Sequence, residues 1–241
     1  MLLGTPKEEG QPEWFVRHCM LEQLAVVLDA LPYILQGALV TLGIVGGAMS
    51  LGLVMGIPMA VGLVYGPRFV RFILGIYVWF FRGVPILTLM FLFYFGIFDL
   101  LGLNLSALSA TAIVLGMTSA AYQSQIFRGS IEALPQGQLK ASRALGMSDM
   151  QGVCSIILPQ ALRLSIPGWS NEFSIILKDS ALAYVVGAMD MFTRTHFVAS
   201  RTYEHLTLFI TAGAIYFIIT MVGVRLLLTL EKKVRIPGYT T

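Results

Sequence analysis

The stretch Pro32–Leu63, PYILQGALVTLGIVGGAMSLGLVMGIPMAVGL, decides the fold. No Asp, Glu, Lys or Arg occurs in it, and the charge-free run extends from Ala30 to Pro67. About 20 predominantly apolar residues suffice for a helix to cross a hydrocarbon core of about 30 Å, so this run is long enough for a complete crossing with its flanks. Glycines recur four apart at Gly43 and Gly47, Gly52 and Gly56, and Gly62 and Gly66. That spacing lets another backbone approach one helix face and predicts a packed bundle, with no further task implied.

Moving outward, charge is sparse over the whole chain. The 241 residues are 56% hydrophobic and only 12% charged, with a mean hydropathy of +0.78. Soluble domains carry about twice that share of charge, and disordered chains carry more still. Both classes are excluded. The net charge of +3 comes from dispersed basic residues without interleaved aromatics, so no nucleic acid partner is indicated. Cys19 and Cys154 make neither a disulfide framework nor a metal site. Lys7, Glu8, Glu9, Glu13 and Arg17 precede the apolar sequence, so no signal peptide is expected.

Four further charge-poor stretches follow, at 74–98 (broken only by Arg82), 107–127, 166–189 and Leu206–Leu230. The fold expected is therefore an all-α integral membrane protein with about five transmembrane helices. Lys and Arg collect on cytoplasmic flanks. Arg68, Arg71, Arg128, Lys140, Arg143, Arg163, Lys232, Lys233 and Arg235 would share one side, against Lys7, Arg17, Arg194 and Arg201 on the other. This places the amino terminus outside and separates the two cysteines across the membrane. The organisation expected is an extracytoplasmic segment 1–30, a transmembrane domain 31–230 containing a cytoplasmic loop 129–165, and a cytoplasmic tail 231–241. Trp14 to Leu28 reads as an amphipathic stretch along the outer surface. Arg82, beside Gly83 and Pro85, reads as an anchor for a broken helix near the cytoplasmic headgroups.

The loop carries the sharpest signal. From Gly137 to Pro159 it reads GQLKASRALGMSDMQGVCSIILP. Gln138–Leu145 has a short helical pattern that Gly146 would stop. Ser148 is a fit N-cap for a second helix, which Pro159 would end near Leu158. Two short helices at right angles would make a cytoplasmic knob; a segment lying on the headgroups fits the pattern equally well.

The spacing resembles the "EAA" loop of ABC-importer permeases: a triplet, three residues, Gly, nine residues, then Ile-x-Leu-Pro. Lys140, Ala141 and Ser142 stand at the triplet, Gly146 at the glycine, and Ile156, Leu158 and Pro159 at the end. Met147 and Ser148 follow the glycine as in the polar amino acid subfamily. FRGVP at Phe81–Pro85, AYQSQIFRGSI at Ala121–Ile131 and NEFSIILKDSAL at Asn171–Leu182 are similar to that subfamily too. Lys140 departs from the usual Glu, Ser142 from the usual second Ala, and Gln125 from a common Glu. The resemblance implies a non-catalytic prokaryotic inner-membrane subunit that moves a polar amino acid delivered by an extracytoplasmic binding protein. It implies a second permease chain and a cytoplasmic ATPase dimer that holds ATP and Mg and grips the loop. In agreement, the sequence has no phosphate-binding G-x-x-x-x-G-K-[ST] loop and no H-E-x-x-H, and His18, His196 and His205 are scattered.

The 166–189 stretch carries Glu172, Lys178 and Asp179. Ionisable groups in the bilayer usually face protein, water or substrate. Lys178 and Asp179 are candidates for the substrate pathway, and pairing with an opposite charge across helices or across a dimer interface is the competing reading. Glu172, with Asn171 beside it, also fits a carboxylate that contacts a substrate amino group, although a place near the cytoplasmic end would let it reach water. A secondary transporter or channel that works without an ATPase accounts for the hydrophobicity but not for the loop.

Overall fold

The computed structural model describes residues 13–234. Residues 1–12 and 235–241 of the expected flanking segments lie outside the described residues, as do the side chains of 13–21, among them Trp14, Arg17 and Cys19. Every element between is helical: α1 (Glu13–Tyr65), α2 (Arg68–Gly83), α3 (Ile86–Leu100), α4 (Ala107–Glu132), α5 (Gly137–Ala144), α6 (149–164), α7 (Ile166–Asp179), α8 (Met191–Thr202) and α9 (His205–Val234). A 3₁₀ stretch, Ser180–Val186, continues α7.

α1 runs through Pro32 and Pro58 without ending. Residues 14–28 are therefore its first turns, not a separate surface segment. At 1.5 Å per residue α1 is about 80 Å long, well beyond one hydrocarbon core. The main packing partner is α4, which runs parallel to it: Gly47 faces Ala112, Leu51 packs on Gly116, and Gly56 lies against Gln123. The glycine stripe is used unevenly. A Cβ on Gly52 would collide with the Gln123 amide, and one on Gly62 would meet Leu74 of α2, whereas Gly43 faces open space.

The 74–98 stretch is not a single straight span. α2 and α3 are bent by 107° across Val84–Pro85. Pro85 supplies no N–H and disfavours helical backbone at Val84, which is extended at ψ 132°. Inside α3 a π-turn covers Leu92–Ile97.

By length and composition α1 and α9 are membrane-crossing helices, and the bent α2–α3 pair makes a third if it is one span. α4 is long enough to cross, at about 39 Å for its extent. Its inward face, however, is polar, with Thr111, Thr118, Ser119, Gln123 and Ser124 all buried. α7 is short, but with its 3₁₀ extension it reaches about 35 Å. The core lies where α1, α3, α4 and α7 meet, around Ile44, Ala48, Leu89, Leu115 and Leu177. A second cluster joins α1 to α8 and α9 through Ile34, Met191 and Leu208. A third ties α4 to α6 through Phe127, Ile157 and Ala161.

Candidate functional site

The loop after α4 folds as two helices joined by a turn. α5 ends where the sequence predicted, with Gly146 at φ +84°. Met147 donates its N–H to the Ser142 carbonyl at 3.1 Å, and Gly146 donates to Arg143 at 3.0 Å. A left-handed residue is needed to fold those donors back onto the helix end. Ser148 then caps α6 with a full capping box, its Oγ accepting from Gln151 N at 3.3 Å and its N–H donating to Gln151 Oε1 at 2.8 Å. Arg143 reaches across the turn to grip both oxygens of Asp149, at 2.6 and 2.9 Å. Those hydrogen bonds hold the Asp149 carboxyl below its ordinary range and raise the Arg143 guanidinium.

Ser142, where the resembled triplet has Ala, is buried and donates to the Leu139 carbonyl at 2.9 Å. It also closes on Gly152 of α6, so its hydroxyl is satisfied at the seam between the two helices. Gln138 and Gln160 exchange amide hydrogen bonds at 3.1 and 2.9 Å and clamp α5 to α6. The far side is open: Lys140 and Ala141 are exposed, as are Leu145 at 82% and Met150 at 64%. Ile156 and Leu158 are half-buried.

Pro159 does not end the second helix. α6 continues to Leu164, because a π-turn over Val153–Ile157 widens the backbone just before the proline. Ser165 then hands the chain to α7 with helical backbone on both sides.

Within the bundle the second constellation is buried. Glu172 of α7 is 2% exposed and accepts from Ser119 Oγ at 2.8 Å. Gln123 donates to Ser119 Oγ at 3.0 Å and to the Met49 carbonyl at 3.2 Å, and its oxygen accepts from Trp169 Nε1 at 2.8 Å. One network therefore pins α1, α4 and α7 together. Ser119 is at the middle of α4, about 18 Å from either end. Glu172 is thus held against the middle of α4 and sealed from water in this arrangement. Asn171 is exposed on the neighbouring face, Asp179 is half-buried, and Lys178 is exposed without a hydrogen bond or ion pair to a described residue. Sequence reading missed Ser119, Gln123 and Trp169. The polar i, i+4 pair Ser119 and Gln123 inside an apolar helix was the available signal.

Asp190, ahead of α8, was missed as well. It is fully buried and caps α8, accepting from Thr193 N at 2.8 Å, Phe192 N at 3.3 Å and the Tyr216 hydroxyl at 3.2 Å. Thr41 of α1 accepts from Met191 N at 3.2 Å, and Arg194 lies over the Tyr33 ring at 4.6 Å while donating to Gln36. α8 is therefore fastened to α1 and α9. Asp-x-x-Thr before a helix is a capping signature visible in sequence.

An all-helical bundle with apolar helices of membrane-crossing length, a capped helical knob, a broken helix pair and a buried carboxylate has the parts of a membrane transport component. The chain belongs to the family described as "Binding-protein-dependent transport system inner membrane component", which matches residues 51–236. It is 31% identical over 210 residues to the histidine/lysine/arginine/ornithine transport system permease protein HisM of Salmonella typhimurium, covering 83% of this chain and 89% of that protein. The arginine transport system permease protein ArtQ of Bacillus subtilis is 31% identical over 211 residues, covering 88% and 96%. Among solved structures, an amino acid ABC transporter crystallised with histidines superposes with a TM-score of 0.77 at 30% identity, covering 86% of this chain and 97% of that one. The inward-facing MetNI methionine ABC transporter shares the fold, with a TM-score of 0.68 at 20% identity, 83% of this chain and 96% of that chain being covered.

Proposed function

We propose that this chain is the permease subunit of an ATP-driven importer that passes a polar amino acid through the cell membrane. The knob 137–159 couples it to a cytoplasmic ATPase dimer, and an extracytoplasmic binding protein delivers the substrate. The observation that carries the reading is the knob itself. Gly146, the Ser148 capping box, the Arg143–Asp149 pair and the Gln138–Gln160 clamp fix its shape, while Leu145 and Met150 are left uncovered on it. Exposed apolar side chains on a rigid, polar-rimmed projection fit burial in another protein. Relatives named for amino acid transport support the substrate class.

In this reading the subunit does no bond chemistry; ATP and Mg are held by the ATPase, and five crossings are made by α1, the α2–α3 pair, α4, α7 with its 3₁₀ extension, and α9. Nucleotide biases two discrete packings of these helices. Two permease chains, identical or related, enclose the pathway. Asn171 lies on its wall with Glu172 buried directly behind it, and Lys178 and Asp179 neutralise charge at its edge or across the pair.

Reconstitution with the ATPase and binding protein, followed by uptake of labelled amino acids, tests this. ATP-dependent uptake that requires both partners is expected. Undiminished flux without nucleotide would instead establish a secondary transporter or channel.

A further inference from the structure

Between α1 and α8 lies a crevice of about 580 Å³, with Val26, Asp29, Tyr33, Phe197, Val198 and Arg201 in its walls. One turn beyond Tyr33 the two helices touch. A Cβ on Gly37 would be 2.7 Å from the Met191 Cα and 2.8 Å from the Asp190 carbonyl oxygen. Arg194 fixes the wall beside that contact. It donates to the Met189 carbonyl at 3.2 Å and to Gln36 at 3.1 Å, and its guanidinium covers the Tyr33 ring. Arg194 is thus engaged by the scaffold, whereas Arg201 and Asp29 are not. Both are exposed, and neither has a hydrogen bond or ion pair to a described residue. An acid and a base share one crevice and stay more than 4 Å apart.

α1 itself gives the level of the crevice. Val64 and Tyr65, at the other end of that helix, line the hollow beneath Leu139 and Lys140 of the knob. Tyr33 is 31 residues before Val64, about 46 Å along the axis. At an ordinary tilt of about 20° this projects to about 44 Å. A bilayer with its headgroups is roughly 40–45 Å thick. With the knob at one membrane surface, the crevice is therefore level with the headgroups of the other. The charge pattern agrees, because no charged residue follows Asp29 until Arg68.

A ligand that meets both charges at once carries a cation and an anion on one short chain. An ethanolamine headgroup has this chemistry. Its primary ammonium offers N–H donors to a carboxylate, and its phosphate offers paired oxygens to a guanidinium fork. Val26, Ala30, Phe197 and Val198 supply apolar wall for the glycerol and the first acyl carbons. A choline headgroup lacks the N–H donors, and a glycerol headgroup lacks the cation.

We infer that the α1–α8 crevice is a binding site for the headgroup of an ethanolamine phospholipid, with Asp29 receiving the ammonium and Arg201 the phosphate. The bound lipid fastens α8 to α1 beyond the Gly37 contact. Asp29 is about 30 Å along α1 from Met49, which belongs to the Glu172 network. The site is thus separate from that network and does not depend on what the protein transports.

The test places the full-length chain in nanodiscs of equal parts phosphatidylethanolamine, phosphatidylcholine and phosphatidylglycerol. The chain is then extracted in mild detergent and its retained lipids are counted by mass spectrometry. Wild type should keep ethanolamine lipid in excess over the other two. Asp29→Asn should lower the preference for ethanolamine over choline about two- to fivefold, the range for a charge pair that water can reach. Arg201→Gln should lower ethanolamine lipid retention by a similar factor, and Val198→Trp, which fills the crevice, should abolish the excess. Asp29 and Arg201 have no partner to lose, so the melting temperatures of Asp29→Asn and Arg201→Gln in pure phosphatidylcholine should match wild type.

No excess of ethanolamine lipid in wild type overturns the inference, as does an excess that all three variants keep. Preference for phosphatidylglycerol that ignores Asp29 would assign the crevice to any anionic lipid. Displacement of the lipid by excess arginine or histidine would make a free amino acid the occupant, and a smaller particle on size exclusion for Asp29→Asn would make it a second copy of the chain. Each of these overturns the lipid site and leaves the importer reading to its own test, ATP-dependent uptake.

Discussion

Replacing Gly146 by alanine, valine and asparagine separates two reasons for a glycine at this position. A Cβ built there meets nothing within 4 Å, so bulk alone has room. The backbone, in contrast, is held at φ +84°. An ordinary L-residue in the left-handed region costs about 1–2 kcal/mol, and a β-branched one is less suited still. Asparagine visits that region more readily. A cost of 1–2 kcal/mol lowers the population of the native turn relative to alternatives about 5- to 30-fold. The turn also orients α6 through the Met147–Ser142 hydrogen bond and the Arg143–Asp149 pair. The expected order of coupling is therefore Gly, then Asn, then Ala, then Val, although Asn is larger than Ala. The assay is the ratio of substrate imported to ATP hydrolysed in proteoliposomes, with permease–ATPase assembly checked in parallel. A ranking by side-chain size, with Ala harmless and Asn as damaging as Val, would refute the conformational argument.

Three further outcomes follow from other contacts. Glu172→Gln keeps an oxygen to accept from Ser119 but removes the charge; uptake of a cationic amino acid should fall about tenfold while the complex still assembles, and an unchanged rate and affinity would make Glu172 merely structural. Gly52→Leu should lower the melting temperature of the purified complex, because its Cβ enters the Gln123 amide, whereas Gly43→Leu, facing open space, should not; equal melting temperatures would contradict the α1–α4 packing. The Arg143–Asp149 bridge holds the Asp149 carboxyl low, so its contribution is complete above about pH 4 and is lost as pH falls through the lowered value. Its partners are 54% and 65% exposed, so Asp149→Asn should reduce coupling less than twofold and about 0.5 M salt should imitate it; a tenfold loss would show that the pair is sealed inside an interface.

Local chemistry was the legible part. Gly146 and Ser148 each govern a turn through their own backbone and side chain, and both perform as their residue types require. Pro159 misled because a proline stops a regular α-helix, whereas the π-turn before it removes the clash. Glu172 and Arg82 were recognised as unusual but their partners were not. Sequence locates a charge along its own helix, while its contacts come from the helix it touches: Ser119 and Tyr122 of α4. The Gln123 network and the Asp190 clamp join residues far apart in the chain, such as Thr41 with Met191. No periodicity reports such pairs. The hydropathy of α4 is diluted by the same inward hydroxyls and amides that bind it to its neighbours.

The near-continuous path from α6 through Ser165 into α7 has a mechanical consequence. Ser165 donates back to the Ala161 carbonyl and accepts from Trp169 N–H, both at 2.9 Å, so the joint is stiff in bending. A torque applied at the knob therefore arrives as a twist of α7. Asn171 and Glu172 are about 100° apart around that axis, one facing out and the other sealed against Ser119. A crankshaft stroke of one residue's width would trade their places and bring the carboxylate to the exposed face.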